Sequence, residues 1–219
     1  MIYIYYAYIS KENHEIILKN NLKNFPQSYQ DKIKNYRRWQ DAQLSLIGQI
    51  LLRKAIADVG LSGINMENLR FSKYNKPYFE NDQVYFNISH SGEIAICALM
   101  DKFEIGIDIE RIANIKLEDF KPHMTNNEWN RIISSINTDS FFFDYWTQKE
   151  AVIKAHGDGL AIPLKSFEIV DNTAIIEGAK FYLKELKIDE KYKCHIALKG
   201  NIDQISLNKI ETITIINNN

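Results

Sequence analysis

Gly106-Ile107-Asp108-Ile109-Glu110 alternates apolar and acidic residues, and side chains two apart on a strand share one face. Ile107 and Ile109 therefore turn to a core, while Asp108 and Glu110 project together on the other side. Gly106 lets another backbone or a ligand come close. The surrounding residues 103–109 read as one strand. Downstream, Thr125-Asn126-Asn127-Glu128 has the capping-box pattern, so a short helix starts there. Residues 141–156 form a long helix closed by Gly157 and Gly159. Residues 167–170, 173–177, 181–188 and 194–198 read as strands of an antiparallel sheet.

Upstream, the same ingredients recur. Residues 2–9 make a strand, and the polar residues 27–40 suit a solvated helix. Leu44, Ile47, Leu51, Ala55 and Val59 recur at helical spacing, so residues 42–59 make a core helix, capped by Asp41 and ended by Gly60. A short strand at 69–71 precedes a turn at Tyr74-Asn75-Lys76-Pro77. Strands 84–89 and 94–100 follow, broken at Ser91-Gly92. Each half thus holds a long helix, a short strand with a Phe (Phe71, Phe167) and a final strand with a Cys (Cys97, Cys194). This predicts an α+β protein of two similar lobes joined near 101–104. The three closing Asn are expected to fray.

The chain has 219 residues, 45% hydrophobic and 25% charged, which excludes wholesale disorder. Lys+Arg number 27 against 28 Asp+Glu. That balance lacks the basic excess of a nucleic-acid binder, so an anion site must be a local cluster. Two cysteines are too few for a disulfide framework, and no Cys/His spacing suggests zinc; buried thiols are expected. The N-terminal stretch lacks the features of a signal peptide, and no apolar run reaches the ~18 residues of a membrane span. The cytoplasm is the expected compartment.

Three groups of residues carry chemistry, each with two readings. Asp108 and Glu110 make either a solvated acidic strand face or hard oxygen ligands for Mg²⁺. Glu150 and Lys154, four apart on one helix face, make either a surface ion pair or the completion of a metal and phosphate site. Asn87-Ile88-Ser89-His90-Ser91-Gly92 makes either ordinary turn chemistry or a phosphate-binding edge. Ser89 and His90 point to opposite faces of a strand, which disfavours a catalytic triad. Lys32, Lys34, Arg37, Arg38, Lys73 and Lys76 are either solvated or border an anion site.

Taken together and in this order, Asn75-Lys76-Pro77, Phe86-Asn87-Ile88-Ser89-His90-Ser91, Gly106-Ile107-Asp108-Ile109-Glu110 and Trp146-Thr147-Gln148-Lys149-Glu150-Ala151-Val152-Ile153-Lys154 resemble the Sfp-type 4′-phosphopantetheinyl transferases. Gly157-Asp158-Gly159-Leu160 and Pro163-Leu164 follow as in that family, and the resemblance covers nearly the whole chain. It implies a pseudo-dimer of two α+β lobes, each a small antiparallel sheet packed on a long helix, with the active site between them. Residues 1–102 would form the lobe on the adenosine and 3′-phosphate side of coenzyme A, and 103–219 the metal and catalytic lobe.

The implied reaction is Mg²⁺-dependent transfer of 4′-phosphopantetheine from coenzyme A to a serine of an apo carrier protein, releasing adenosine 3′,5′-bisphosphate. Neither nucleic acid nor membrane takes part, and the chain is expected to be a monomer. The resemblance makes Asp108, Glu110 and Glu150 the metal ligands, Glu150 the general base and Lys154 the group at the leaving phosphate, with Lys149 in support. Ser89 and His90 would hold the 3′-phosphate side, Lys76 and Pro77 the adenine side, and Lys32 a basic position. Leu44 stands where many members have an arginine for the 3′-phosphate. Glu128 matches a family glutamate or merely caps its helix; Phe120 and Met124 form either a carrier-docking surface or lobe packing. The rival readings are a non-catalytic coenzyme A or carrier-protein binding module and a Mg²⁺-dependent pyrophosphohydrolase.

Overall fold

Strand β5, Ile94–Met100, is apolar at every position and buried at every position. A strand covered on both faces reads this way, and β5 lies inside a sheet of order β10-β1-β5-β4. In this computed structural model β1 is Ile2–Tyr8, β4 Tyr85–Ser91 and β10 Ile205–Lys209. β5 pairs antiparallel with both β1 and β4, whereas β10 runs parallel to β1. All residues are described except 62, 65, 75, 81–83, 203 and 218–219. Asn75 of the expected turn, and the last two of the expected frayed Asn, lie outside the described residues.

The second sheet has order β6-β9-β8-β7 and is antiparallel throughout. Its strands are β6 Ile105–Arg111, β7 Thr173–Ile176, β8 Ala179–Glu185 and β9 Tyr192–Leu198. A separate ribbon pairs β2, Leu69–Phe71, with β3, Pro77–Phe79.

Each sheet has its own long helix. Helix α3, Trp39–Asp58, packs Leu44, Leu51 and Ala55 against Tyr5, Cys97 and Leu99 of the first sheet. Helix α5, Thr138–His156, packs Val152 and Ala155 against Phe181, Leu183 and Ala197 of the second. The remaining faces of the two sheets pack on each other through Ile4 and Ile96 on one side and Ile107, Ile109 and Ile196 on the other. The layers therefore run helix, sheet, sheet, helix. The alternation read in Gly106–Glu110 holds: Ile107 and Ile109 enter the core between the sheets. Both cysteines are free and buried.

Gly106 positions the site. A Cβ there would come within 2.0 Å of Ala151 O and 2.4 Å of Ala155 N. The α5 backbone itself lies on β6 at this point, which sets Glu150 and Lys154 beside Asp108. Gly157 then ends α5 at φ 99°, a left-handed conformation that glycine adopts without steric penalty.

Some boundaries differ from expectation. The helix expected over 27–40 is α2, Gln27–Lys34, and α3 already begins at Trp39. Arg38 occupies the α3 N-cap without a side-chain bond, and Asp41 sits in the first turn, where its charge suits the helix dipole. Residues 167–170 form only an isolated bridge between Val170 and Thr173. Pro77 opens β3 and Ser91 belongs to β4. Helix α1, His14–Asn21, strand β10 and helix α6, Thr212–Asn217, were not foreseen. β10 returns the chain to the first sheet, although it lies in the downstream half of the sequence. Helix α4, Asn126–Ile133, begins with the full capping box of Thr125 and Glu128. Among the described residues no helix is long and apolar enough to cross a membrane.

Candidate active site

Asp108 lies on β6 against the α5 backbone and is buried. Lys154, one turn below Glu150 on α5, reaches it: Lys154 Nζ is 2.5 Å from Asp108 Oδ1. The same ammonium donates to Ser89 Oγ at 3.1 Å and Ile107 O at 3.3 Å. Ser89 donates to Asp108 Oδ1 at 3.0 Å, and Ser91 donates to Glu110 Oε2 at 2.6 Å. The second oxygen of Asp108, Oδ2, is buried and has no hydrogen-bond partner among the described residues. A buried carboxylate oxygen without a partner carries a desolvation penalty, which a cation or a donor would relieve.

Asp108, Glu110 and Glu150 line one cavity of about 310 Å³ with Ser89, His90 and Lys154. Burial, then the charge of Asp108, pushes the Glu150 carboxyl above its ordinary range, with Lys154 opposing. Burial likewise pushes Glu110 up; the Ser91 hydrogen bond opposes it and Asp108 adds to it. Among the described residues no three His, Cys, Asp or Glu side chains stand close enough together to hold a metal ion as placed. The donor set still fits a hard divalent cation: three carboxylates on one cavity, one with an unpartnered buried oxygen.

Two further cavities continue the first. One of about 210 Å³ shares Glu150 and Lys154 with it and adds Tyr74, Lys76, Pro77 and Asn87. Another of about 230 Å³ shares Lys76, Pro77 and Gly157 with the second. A trough thus runs from the carboxylates to the Lys76-Pro77 segment. Lys76 pairs with Glu104 within it. His90 is exposed on the face of β4 opposite Ser89 and lines the carboxylate cavity. Partial removal from water, then the Lys154 charge, holds its imidazole below the ordinary range.

Other sequence candidates lie elsewhere. Lys32 is exposed on α2, 6.0 Å above the Tyr29 ring, and is not among the residues lining these three cavities. Lys149 is wholly buried and ion-paired with Glu128 at 2.9 Å. It faces away from the trough and gives its other protons to Leu164 O and Phe167 O, so it supports structure. Glu128 is likewise buried and also accepts from Ile169 N. Leu44 is a core residue, as its helical spacing predicts, and Met124 is buried in the core as well. Phe120 packs against Phe142 and Trp146. His195, opposite Asp108 in the β6–β9 register, was not singled out. It is buried, its Nδ1 is 2.8 Å from Thr147 Oγ1, and burial pushes its imidazole down to about 4. Ser91, expected in a turn or a phosphate-binding edge, instead lies on β4 two residues beyond Ser89 and donates to Glu110.

Comparison with known proteins covers both halves. A family model described as the 4′-phosphopantetheinyl transferase superfamily matches residues 104–203. Another, described as 4′-phosphopantetheinyl transferase, N-terminal, matches residues 11–101. The chain is 35% identical over 205 residues to 4′-phosphopantetheinyl transferase gsp of Aneurinibacillus migulanus, covering 89% of this chain and 85% of that one. It is 33% identical over 175 residues to 4′-phosphopantetheinyl transferase Sfp of Bacillus subtilis, covering 74% and 77%. It is 27% identical over 206 residues to L-aminoadipate-semialdehyde dehydrogenase-phosphopantetheinyl transferase of Xenopus laevis, covering 80% and 68%.

Proposed function

The chain belongs to the Sfp-type 4′-phosphopantetheinyl transferases, enzymes that move phosphopantetheine from coenzyme A to carrier proteins, and we propose that the trough from Lys76 to Asp108 is where it does so. Coenzyme A would lie along the trough, its adenosine end toward Lys76 and Pro77 and its pyrophosphate at Lys154. His90 and Ser89 would stand on the 3′-phosphate side, with Lys32 of α2, which lines none of these cavities, as a further basic candidate. The observation that carries this reading is the unpartnered Asp108 Oδ2, buried in a cavity that Glu110, Glu150 and Lys154 also line.

Asp108, Glu110 and Glu150 would hold Mg²⁺, which supplies charge stabilisation at the pyrophosphate oxygens. The chain's own residues do the rest. The attacking serine comes from the carrier protein. As its oxygen bonds to the β-phosphorus, Glu150 takes the hydroxyl proton; burial makes this carboxylate a stronger base than usual. The bond from that phosphorus to the bridging oxygen breaks, and adenosine 3′,5′-bisphosphate leaves. Lys154 stabilises the negative charge that gathers on the departing phosphate.

We read the two halves as lobes of a pseudo-dimer. Each runs strand, long helix, hairpin, and in each the first strand lies beside the last: β1-β5-β4 and β6-β9-β8. The upstream lobe spans residues 1–102 and is extended by the returning β10 and α6. A cytoplasmic monomer is the setting this reading gives the enzyme.

The test is intact-mass spectrometry of apo carrier proteins incubated with the enzyme, coenzyme A and Mg²⁺. The expected result is a gain of one phosphopantetheine on the carrier. Tight coenzyme A binding with no transfer to any of several carriers would instead make the chain a binding module. Chelation of divalent cations should stop the reaction and added Mg²⁺ restore it.

A further inference from the structure

β4 and β6 are edge strands of different sheets, and no main-chain ladder joins them among the described residues. Three side chains of β4 take the place of carbonyls instead. Asn87 Oδ1 accepts from Ile107 N at 3.1 Å, Ser89 Oγ from Ile109 N at 3.4 Å and Ser91 Oγ from Arg111 N at 3.1 Å. The acceptors lie two apart, as do the amides, so one strand face meets one strand edge. A hydroxyl that accepts an N–H still has a proton to donate, whereas an amide oxygen has none. Ser89 gives its proton to Asp108, and Ser91 gives its own to Glu110 Oε2 at 2.6 Å. That distance is in the range of a charge-assisted O–H···O⁻ bond. Asn87, which only accepts in this ladder, stands beside the stretch where β6 carries Gly106 and no side chain needs a donor.

We propose that Ser91 is a positioning residue for the cation site. One oxygen joins the Arg111 amide of the β6 edge to Glu110 Oε2, so the contact between the sheets also fixes the Glu110 carboxylate. Ser91 touches neither substrate nor metal; it acts through Glu110. The inference rests on Glu110 being a cation ligand beside Asp108 and Glu150. A side chain that orients a metal ligand typically changes metal affinity by about 10–100-fold when lost. Threonine keeps a hydroxyl that can both accept and donate; alanine keeps neither.

The experiment compares wild-type enzyme, Ser91→Ala and Ser91→Thr, each with coenzyme A bound. Mn²⁺ binding is followed by electron paramagnetic resonance, and transfer rate is measured against Mg²⁺ concentration. Ser91→Ala should bind Mn²⁺ ~10-fold more weakly. Its apparent Mg²⁺ requirement should rise by a similar factor, with the KM for coenzyme A unchanged and the rate recovering at high Mg²⁺. Ser91→Thr should match wild type. A Ser91→Ala protein whose Mn²⁺ and Mg²⁺ curves overlay the wild-type curves overturns the proposal. So does a Ser91→Ala rate that is lower by the same factor at every Mg²⁺ concentration, because that marks a purely structural role. If wild-type enzyme transfers at full rate without a divalent cation and binds no Mn²⁺, the ligand assignment itself falls, and the positioning role with it.

Discussion

Two lysine–carboxylate pairs hang from α5 five residues apart, and they have different fates. Lys149 and Glu128 are both 0% exposed. Lys149 gives its protons to Glu128, Leu164 O and Phe167 O. Glu128 accepts from Thr125 N and Ile169 N as well. Both Glu128 oxygens and all three lysine protons are engaged inside the protein. At the other pair Lys154 is 27% exposed and Asp108 5%, the lysine lines a cavity, and Asp108 Oδ2 has no partner among the described residues. The residue types are the same. Unspent bonding capacity with access to a cavity separates a site from a strut.

The largest expected effect breaks this comparison most directly. Asp108→Asn and Glu150→Gln should each lower transfer by ~10³-fold or more, the scale set by removing a group that stabilises charge in a transition state. Their thermal midpoints should stay near that of wild type, measured by circular dichroism beside the intact-mass assay. Equal loss of stability in these variants and in Glu128→Gln would erase the distinction between the two pairs.

Lys149→Met tests the other pair. Removing one partner of a buried ion pair leaves an uncompensated charge and destabilises by about 3–5 kcal/mol. Chemical denaturation should report that loss, with kcat at low temperature little changed in whatever fraction remains folded. The double variant Lys149→Met with Glu128→Leu should recover part of the stability, because two apolar groups leave no charge unpaired. Gly106→Ala acts between the pairs, where a Cβ would strike the α5 backbone. Overpacking of this kind costs typically 1–3 kcal/mol. The shift in α5 should lower transfer more than stability alone explains, read as kcat at full folding.

The difference between the pairs was only half legible in the sequence. Alternation placed Asp108 and Glu110 on one face, and the capping box placed Thr125 and Glu128 to the residue. The long helices and β5 follow from local periodicity and apolar runs. The direction of Lys149 does not, because it depends on α4 and the 164–169 segment closing over it. Helical spacing puts Leu44 in the core, where it lies, whereas the sequence leaves Met124 open between docking and packing, and the core takes it. β10 escaped notice since its partner, β1, lies some two hundred residues away and no local pattern records a parallel pairing. Gly92, with φ of 56°, does turn the chain, but β4 runs on to Ser91 rather than ending at residue 89, so the contact from Ser91 to Glu110 depends on a strand end that the local pattern does not fix.

The smallest effect per unit of change concerns the floor of the site. His195 lies opposite Asp108 in the register and against Thr147 of α5, and burial holds its imidazole down to about 4. An unfolded histidine protonates near pH 6.5. Above that pH both states are neutral and the group contributes no slope. As pH falls below it, the unfolded chain takes up a proton that the folded chain refuses. Folding stability should then drop by up to about 1.4 kcal/mol per pH unit until the folded imidazole protonates near 4. Urea denaturation from pH 7 to 4.5 should show this slope, and His195→Asn should reduce it in that window. Lys149→Met should instead lower stability already at pH 7, where His195 adds no slope, because one partner of a buried ion pair is lost. A slope unchanged by His195→Asn would mean that acid acts on the fold elsewhere and that the ground beneath Asp108 does not titrate.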